Sequence, residues 1–241
     1  MCRHRQVKHK YLSKSRQGFT LVEILLVITI ISIIVSNTLL PLIINVQNQQ
    51  YKSAWYKNFS MFSQAFINME NTEGVGTYTS MPLSKRQYLE FLYPTLFKYV
   101  ITIKKCDSWA LPRNDNKCWS AGGNWQSATG DTLGSLDALG FGFVLADGTM
   151  GVLGSVSENC TVTSSGLTGI CATIYLDVNG LKGPNTAGKD IYGFWVLNNR
   201  IVPFGYSGDQ YANAYDCNTK TALNGFSMYT GFSCSSYYLI K

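Results

Sequence analysis

The chain is 241 residues long, 46% hydrophobic and 14% charged, and carries a formal charge of +6. These proportions exclude a disordered polymer and leave room for one sizeable domain with an appendage, or for two small domains. The positive charge gives no sign of nucleic-acid binding, because it is confined to one end. Arg3, Arg5, Lys8, Lys10, Lys14 and Arg16 all precede Gly18, and no acidic residue does. Without those six, 14 Lys and Arg face 14 Asp and Glu, so the remainder is formally neutral and no nucleic-acid partner is expected. Both histidines, His4 and His9, lie in the same basic stretch. A product that lost it would have no imidazole, which removes Ser-His and Cys-His nucleophile activation and histidine-ligated zinc. Only lysine- or carboxylate-based catalysis would remain.

From Phe19 to Ile44 the sequence is almost wholly apolar. As a helix this stretch would span roughly 39 Å at about 1.5 Å per residue, ample for a hydrocarbon core of about 30 Å. The basic flank places its N-terminal end in the cytoplasm and residues beyond 45 outside. A secretory signal has a shorter apolar region with a small-residue cleavage site after it. Here the small residue, Gly18, comes first, so cleavage there would leave the hydrophobic segment on the product. Glu23 lies inside that segment, and a carboxylate in hydrocarbon is expensive enough to point to a function.

Arg16-Gln17-Gly18-Phe19-Thr20-Leu21-Val22-Glu23, leading into a long apolar helix, resembles the class III signal of type IV pilins and type II secretion pseudopilins. The resemblance implies cleavage between Gly18 and Phe19 by an inner-membrane prepilin peptidase, and N-methylation of the new Phe19 amine. It also implies a single-pass inner-membrane subunit with a periplasmic head. An assembly platform protein driven by an ATPase would draw that subunit into a filament with copies of itself or other pilins. In that family the glutamate neutralises the terminal amine of a neighbouring subunit. Physical chemistry agrees on its own terms. A lone buried charge costs several kcal/mol, and an opposite charge within about 4 Å offsets much of that. Only one axial stagger brings the two ends together, so pairing by Glu23 would also set register.

Pro41 falls within the helical pattern, where it cannot donate to the carbonyl of Asn37, and a kink or local unwinding is expected over 37–41. The family helix often carries a proline here, which marks Pro41 as an assembly residue by resemblance. Helix resumes with Trp55, Phe59, Phe62, Phe66 and Met69 on one continuous stripe, the face on which a head would pack. Lys52, Lys57, Asn58 and Gln64 are expected to face elsewhere, and Asn71-Thr-Glu-Gly74 to stop the helix. The resulting division is a leader at 1–18, an assembly helix at 19–45, an amphipathic helix half at 46–74 and a globular head at 75–241.

In the head, Ser84 and Gln87 form a capping box that opens a helix through Leu92. Cys106, Cys118, Cys160, Cys171, Cys217 and Cys234 make an even set that suggests disulfides in an exported domain. Six cysteines permit 15 pairings in principle, and sequence proximity favours 106–118, 160–171 and 217–234. The first pair pins a turn-rich surface loop over 106–130, whose Trp109, Trp119 and Trp125 either contact a ligand or pack beneath the loop, the second being preferred. Beyond Gly140, Phe141, Phe143 and Leu145 alternate before Asp147-Gly148, a hairpin signal. Runs at Ile174–Leu176, Tyr192–Val196 and Ile201–Val202 extend the pattern to an antiparallel sheet of roughly four strands on the helix stripe, an α+β fold.

Between Leu176 and Tyr192, Asp177, Asn179, Asn185 and Asp190 place hard oxygens around glycines in the manner of a calcium loop, without the terminal glutamate of an EF-hand. The same residues also make an ordinary turn, which is preferred, with Asn-Gly supplying positive φ and Asp capping backbone amides. No cofactor is required, and calcium is the one candidate. Some pseudopilin heads bind calcium in a loop near the C-terminus, and by the same resemblance Cys217 and Cys234 bound an exposed C-terminal loop. Two readings compete with a filament subunit. One is a minor pilin whose head binds DNA, a glycan or a surface, and the other is a membrane-anchored periplasmic enzyme. Neither explains Gly18, Phe19 and Glu23 together, and no nucleophile elbow or phosphate loop is present.

Overall fold

The structure is a computed structural model that describes residues 18–73, 85–106, 118, 125–133, 140–155, 160–164, 166–206, 208–209, 211–212, 215–222 and 230–240. The chain divides into two compact units, the first ending at Val46 and the second running from Gln47 to Lys241. One helix, α1 (Leu21–Glu73), contributes to both.

In the first unit, α1 is exposed along its apolar length and is long and apolar enough to cross a membrane. Its hydroxyl side chains bond within the helix. Thr29, Ser32, Ser36 and Thr38 donate to the carbonyls of Leu26, Ile28, Ile33 and Ile34 at 2.7–3.0 Å, so no hydroxyl is left unbonded for lipid to meet. The local unwinding expected at Pro41 is absent: residues 37–41 remain helical. One missing backbone bond is tolerated because the turns on either side keep theirs, and the Thr38 hydroxyl adds a bond within the same stretch.

In the second unit, Trp55, Phe62, Phe66 and Met69 of the stripe are buried, and Phe59 packs partly against them. Asn58 departs from expectation. It is fully buried, and its amide donates 2.9 Å to the Thr149 hydroxyl. A polar residue beside the stripe can turn inward when the opposing turn supplies an acceptor, which periodicity alone does not reveal. Helix α2 (Lys85–Leu96) lays Leu92, Tyr93 and Leu96 into the same core and contains Pro94. Ser84 lies outside the described residues.

Among the described residues the sheet has seven strands, more than the roughly four expected. Six are β1 (Thr102–Cys106), β4 (Gly140–Leu145), β5 (Met150–Ser155), β7 (Leu167–Asp177), β8 (Ile191–Leu197) and β9 (Ile201–Pro203), hydrogen-bonded in that order, and β6 (Val162–Ser164) pairs with β7. Every pairing is antiparallel. The extra strands are short or irregular. In β1, Ile103, Lys104 and Lys105 are all exposed, so it shows no alternation to read. Asp147-Gly148 turns β4 into β5, with Gly148 at φ 87°, a conformation that favours glycine.

Both faces of the sheet are covered. Tyr192, Phe194 and Val196 of β8 point into the core shared with α1 and α2, whereas Ile191, Trp195 and Leu197 join a second cluster with Trp125, Phe204, Tyr211 and Phe232. This explains why all seven residues of β8 are buried. Gly193 allows the close packing, since a Cβ there would lie 2.1 Å from the Phe204 ring. Two small ladders, β2 (Trp125–Gln126) with β3 (Thr132–Leu133) and β10 (Tyr215–Asp216) with β11 (Thr221–Ala222), lie outside the main sheet.

The cysteines are joined 106–118, 160–171 and 217–234. Trp125 is buried, while Trp109 and Trp119 lie outside the described residues. Residues 218–221 of the loop bounded by Cys217 and Cys234 are exposed. Beyond it, helix α3 (Cys234–Ile240) packs on β8 and touches α1 through individual side chains. Trp55 Nε1 donates 3.0 Å to the Ser235 carbonyl, Gly193 N donates 3.1 Å to Ser235 Oγ, and Lys52 Nζ sits 4.3 Å from the centre of the Tyr238 ring.

Candidate functional site

Two groups of residues carry chemistry, one in each unit. The first is the N-terminal segment. Gly18, Phe19 and Thr20 precede α1 and are exposed, with the Phe19 side chain 82% accessible. A Cβ added at Gly18 would meet nothing within 4 Å. The chain's own packing therefore makes no demand for glycine at that position.

Thr20 and Glu23 close a reciprocal cap on α1. Glu23 N donates to Thr20 Oγ1 at 3.2 Å, and Glu23 Oε2 accepts from Thr20 N at 2.8 Å and Thr20 Oγ1 at 2.9 Å. This capping box satisfies two of the donors a helix N-terminus leaves open, which matters most where water is scarce. The sequence carries the signal for this cap, Thr-x-x-Glu before an apolar run, alongside the intermolecular pairing expected of Glu23. Glu23 thus holds a local bond and remains exposed.

The second group is the loop joining β7 to β8. Asp177 ends β7, Asp190 immediately precedes β8, and both are fully buried. Asp190 is saturated by donors: it accepts from Asn185 N at 2.8 Å, Thr186 N at 2.6 Å and Asn179 Nδ2 at 3.1 Å. Asp177 Oδ1 accepts from Asn179 N at 3.2 Å. Burial pushes the Asp177 carboxyl up to about 8, and the neighbouring Asp190 charge adds to the rise. Burial raises Asp190 as well. No described lysine or arginine is ion-paired with either.

The two asparagines complete the loop. Asn179 Nδ2 faces three acceptors: the Gly183 carbonyl at 3.1 Å, Asp190 Oδ2 at 3.1 Å and the Tyr51 hydroxyl at 3.3 Å. That fixes the orientation of its amide and leaves Oδ1 as a buried oxygen with no donor. The Asn185 amide lies 3.1 Å from the Lys182 carbonyl and 3.2 Å from Asp177 Oδ2. With its nitrogen inward it donates to both, and a half-turn of the amide puts a third oxygen beside those two. The structure thus brings together all four residues singled out from sequence, and adds the Lys182 carbonyl and Tyr51, which sequence spacing did not indicate.

Among the described residues no three His, Cys, Asp or Glu side chains converge, so a soft or transition-metal centre has no ligand set there. The donor set does fit a hard cation: carboxylate, amide and main-chain oxygens, one of them an orphaned buried Oδ1.

Residues 13–36 match the model of the prokaryotic N-terminal methylation motif. This is the class III signal of type IV pilins and pseudopilins, and the chain carries it at the position where Gly18, Phe19 and Glu23 stand. The chain thus carries a prepilin-type signal ahead of a helix long and apolar enough to cross a membrane and an antiparallel sheet, an α+β architecture consistent with a pilin-like fold. No curated protein and no solved structure matches the chain.

Proposed function

We propose that the protein is a structural subunit of a type IV pilus-like or type II secretion pseudopilus filament. In this reading it is cut between Gly18 and Phe19, N-methylated at Phe19, and held in the inner membrane with its head in the periplasm. A platform protein and its ATPase would then extract it. The observation that carries the reading is the methylation motif over 13–36 continuing into an exposed apolar helix. The Phe19 ammonium of one subunit and the Glu23 carboxylate of its neighbour would pair in the filament, while the Thr20 cap holds Glu23 in place beforehand. Pro41 belongs to the same packing helix. A structural role leaves no catalytic step to assign.

The exposed, uncontacted position of Gly18 supports its requirement by a peptidase instead of by the fold. The expected result is therefore that Gly18→Ala folds normally and stays unprocessed, whereas Glu23→Ala is processed but fails to enter filaments. Intact mass and filament yield, measured in cells lacking the wild-type copy, give both answers. Normal filament yield from Glu23→Ala would refute the pairing role.

The β7–β8 loop adds a calcium site to this reading. Asp177, Asn179, Asn185 and the main-chain oxygen of Lys182 would hold the ion, and Asp190 would hold the loop through its three hydrogen bonds. The ion would supply positive charge beside two buried carboxylates. A calcium-dependent rise in melting temperature that disappears in Asp177→Ala tests the site.

A further inference from the structure

The amide of Asn179 joins two parts of the second unit that lie far apart in sequence. Its nitrogen reaches Tyr51 on α1, and its oxygen is the orphaned atom of the β7–β8 loop. An amide is rigid and planar, so the direction of Oδ1 is set by what holds Nδ2. Gly183 and Asp190 belong to the loop itself, and only Tyr51 belongs to the stem. Tyr51 is partly buried, and it lies one turn before Trp55. From Tyr51 to Asn58 the stem is held by this loop, by β8 through Tyr192, by α3, and by the β4–β5 turn through Lys57–Asp147 and Asn58–Thr149.

Resting on the calcium reading above, we propose that Tyr51 is a positioning residue for that cation, and that cation binding and docking of the stem at Tyr51 reinforce each other through Asn179. An occupied loop requires Asn179 Oδ1 to face the ion, which orients Nδ2 toward the Tyr51 hydroxyl. A docked Tyr51, its hydroxyl accepting from Nδ2 beside the Gly183 carbonyl and Asp190, in turn helps hold the amide in the orientation that the ion needs. Because coupling between two equilibria is reciprocal, the factor by which Tyr51 improves cation affinity is also the factor by which the cation favours the stem contact.

The test uses the full processed chain in detergent micelles, titrated with calcium chloride by calorimetry, with magnesium chloride as comparator. Tyr51→Phe keeps the ring and removes the hydroxyl. Loss of one hydrogen bond from the coupling should weaken calcium binding about two- to tenfold. Hydrogen exchange of the stem segment around Tyr51 should slow on adding calcium to the wild type and change less in Tyr51→Phe. Asn179→Ala removes the amide that links the loop to Tyr51, so in that background Tyr51→Phe should have no further effect on affinity. A merely structural role for Tyr51 would not produce that loss of effect. If the wild type binds no calcium at millimolar concentration, the loop reading fails and this inference with it. If the wild type binds calcium and Tyr51→Phe binds equally well with unchanged exchange, the coupling alone is overturned.

Discussion

Trp55 is the residue on which the stem's packing can be measured. It is fully buried, stacks on Tyr192 with ring centres 5.1 Å apart, and donates to the Ser235 carbonyl at 3.0 Å. Truncating a buried tryptophan to alanine costs about 3–5 kcal/mol. The upper half of that range is expected here, because the substitution also leaves the Ser235 carbonyl without its donor, and Ser235 is itself fully buried. Trp55→Phe separates the two contributions, keeping an aromatic ring against Tyr192 and losing the N–H. It should cost about 1–3 kcal/mol. For a chain of this size 1 kcal/mol moves the melting temperature by roughly 2–4 °C, so Trp55→Ala should melt roughly 8–20 °C lower. Near-ultraviolet circular dichroism of the full chain in detergent reports loss of aromatic packing without interference from the apolar helix. A shift below about 2 °C for Trp55→Ala, less than 1 kcal/mol, would refute the claim that the stem is part of the head's core.

Three further outcomes are expected. Replacing Cys217 and Cys234 together by serine should cost about 2–4 kcal/mol and raise hydrogen exchange both in α3 and in the α1 turns it covers, because the disulfide anchors the first residue of α3. Exchange rising in α3 alone would show that α3 is not holding the stem. Thr149→Val should cost about 1–3 kcal/mol in chemical denaturation, since it leaves the buried Asn58 amide without its acceptor, and Asn58→Leu in the same background should recover part of that. In the presence of chelator, Asp177 should make the protein less stable as pH rises. Its folded carboxyl titrates at about 8 against an ordinary 3.8, so the folded state keeps a proton that the unfolded state gives up. The associated stability is complete below about 3.8 and lost as pH approaches 8, and Asp177→Asn should flatten that decline.

The N-terminal segment is legible in one dimension because its chemistry is local. A basic leader, a glycine, a phenylalanine and a glutamate four residues on are read by position, and an apolar run long enough for a bilayer is read by length. The stripe from Trp55 to Met69 and the alternation of Tyr192, Phe194 and Val196 are likewise periodic, so the helix-on-sheet core follows from them. Asp147-Gly148 declares its turn because only certain residues accept positive φ. Cysteine pairing by proximity belongs here too, since short loops close at low entropic cost.

What only the tertiary structure decided depends on partners distant in sequence. Asn58 is inside because Thr149 lies opposite it, 91 residues away. The sheet has a second buried face because Trp125, Phe204, Tyr211 and Phe232 come from separate loops to cover it, and no single segment carries that pattern. Helix α3 is only seven residues long, too short to stand alone in water, and it forms where the sheet, the stem and a disulfide meet around it. The oxygens of the β7–β8 loop were visible as residue types, but their burial, the saturation of Asp190 and the link from Asn179 to Tyr51 arise from three-dimensional closure. Local rules govern where a segment begins and what it prefers, whereas burial and satisfaction of polar atoms are properties of the folded whole.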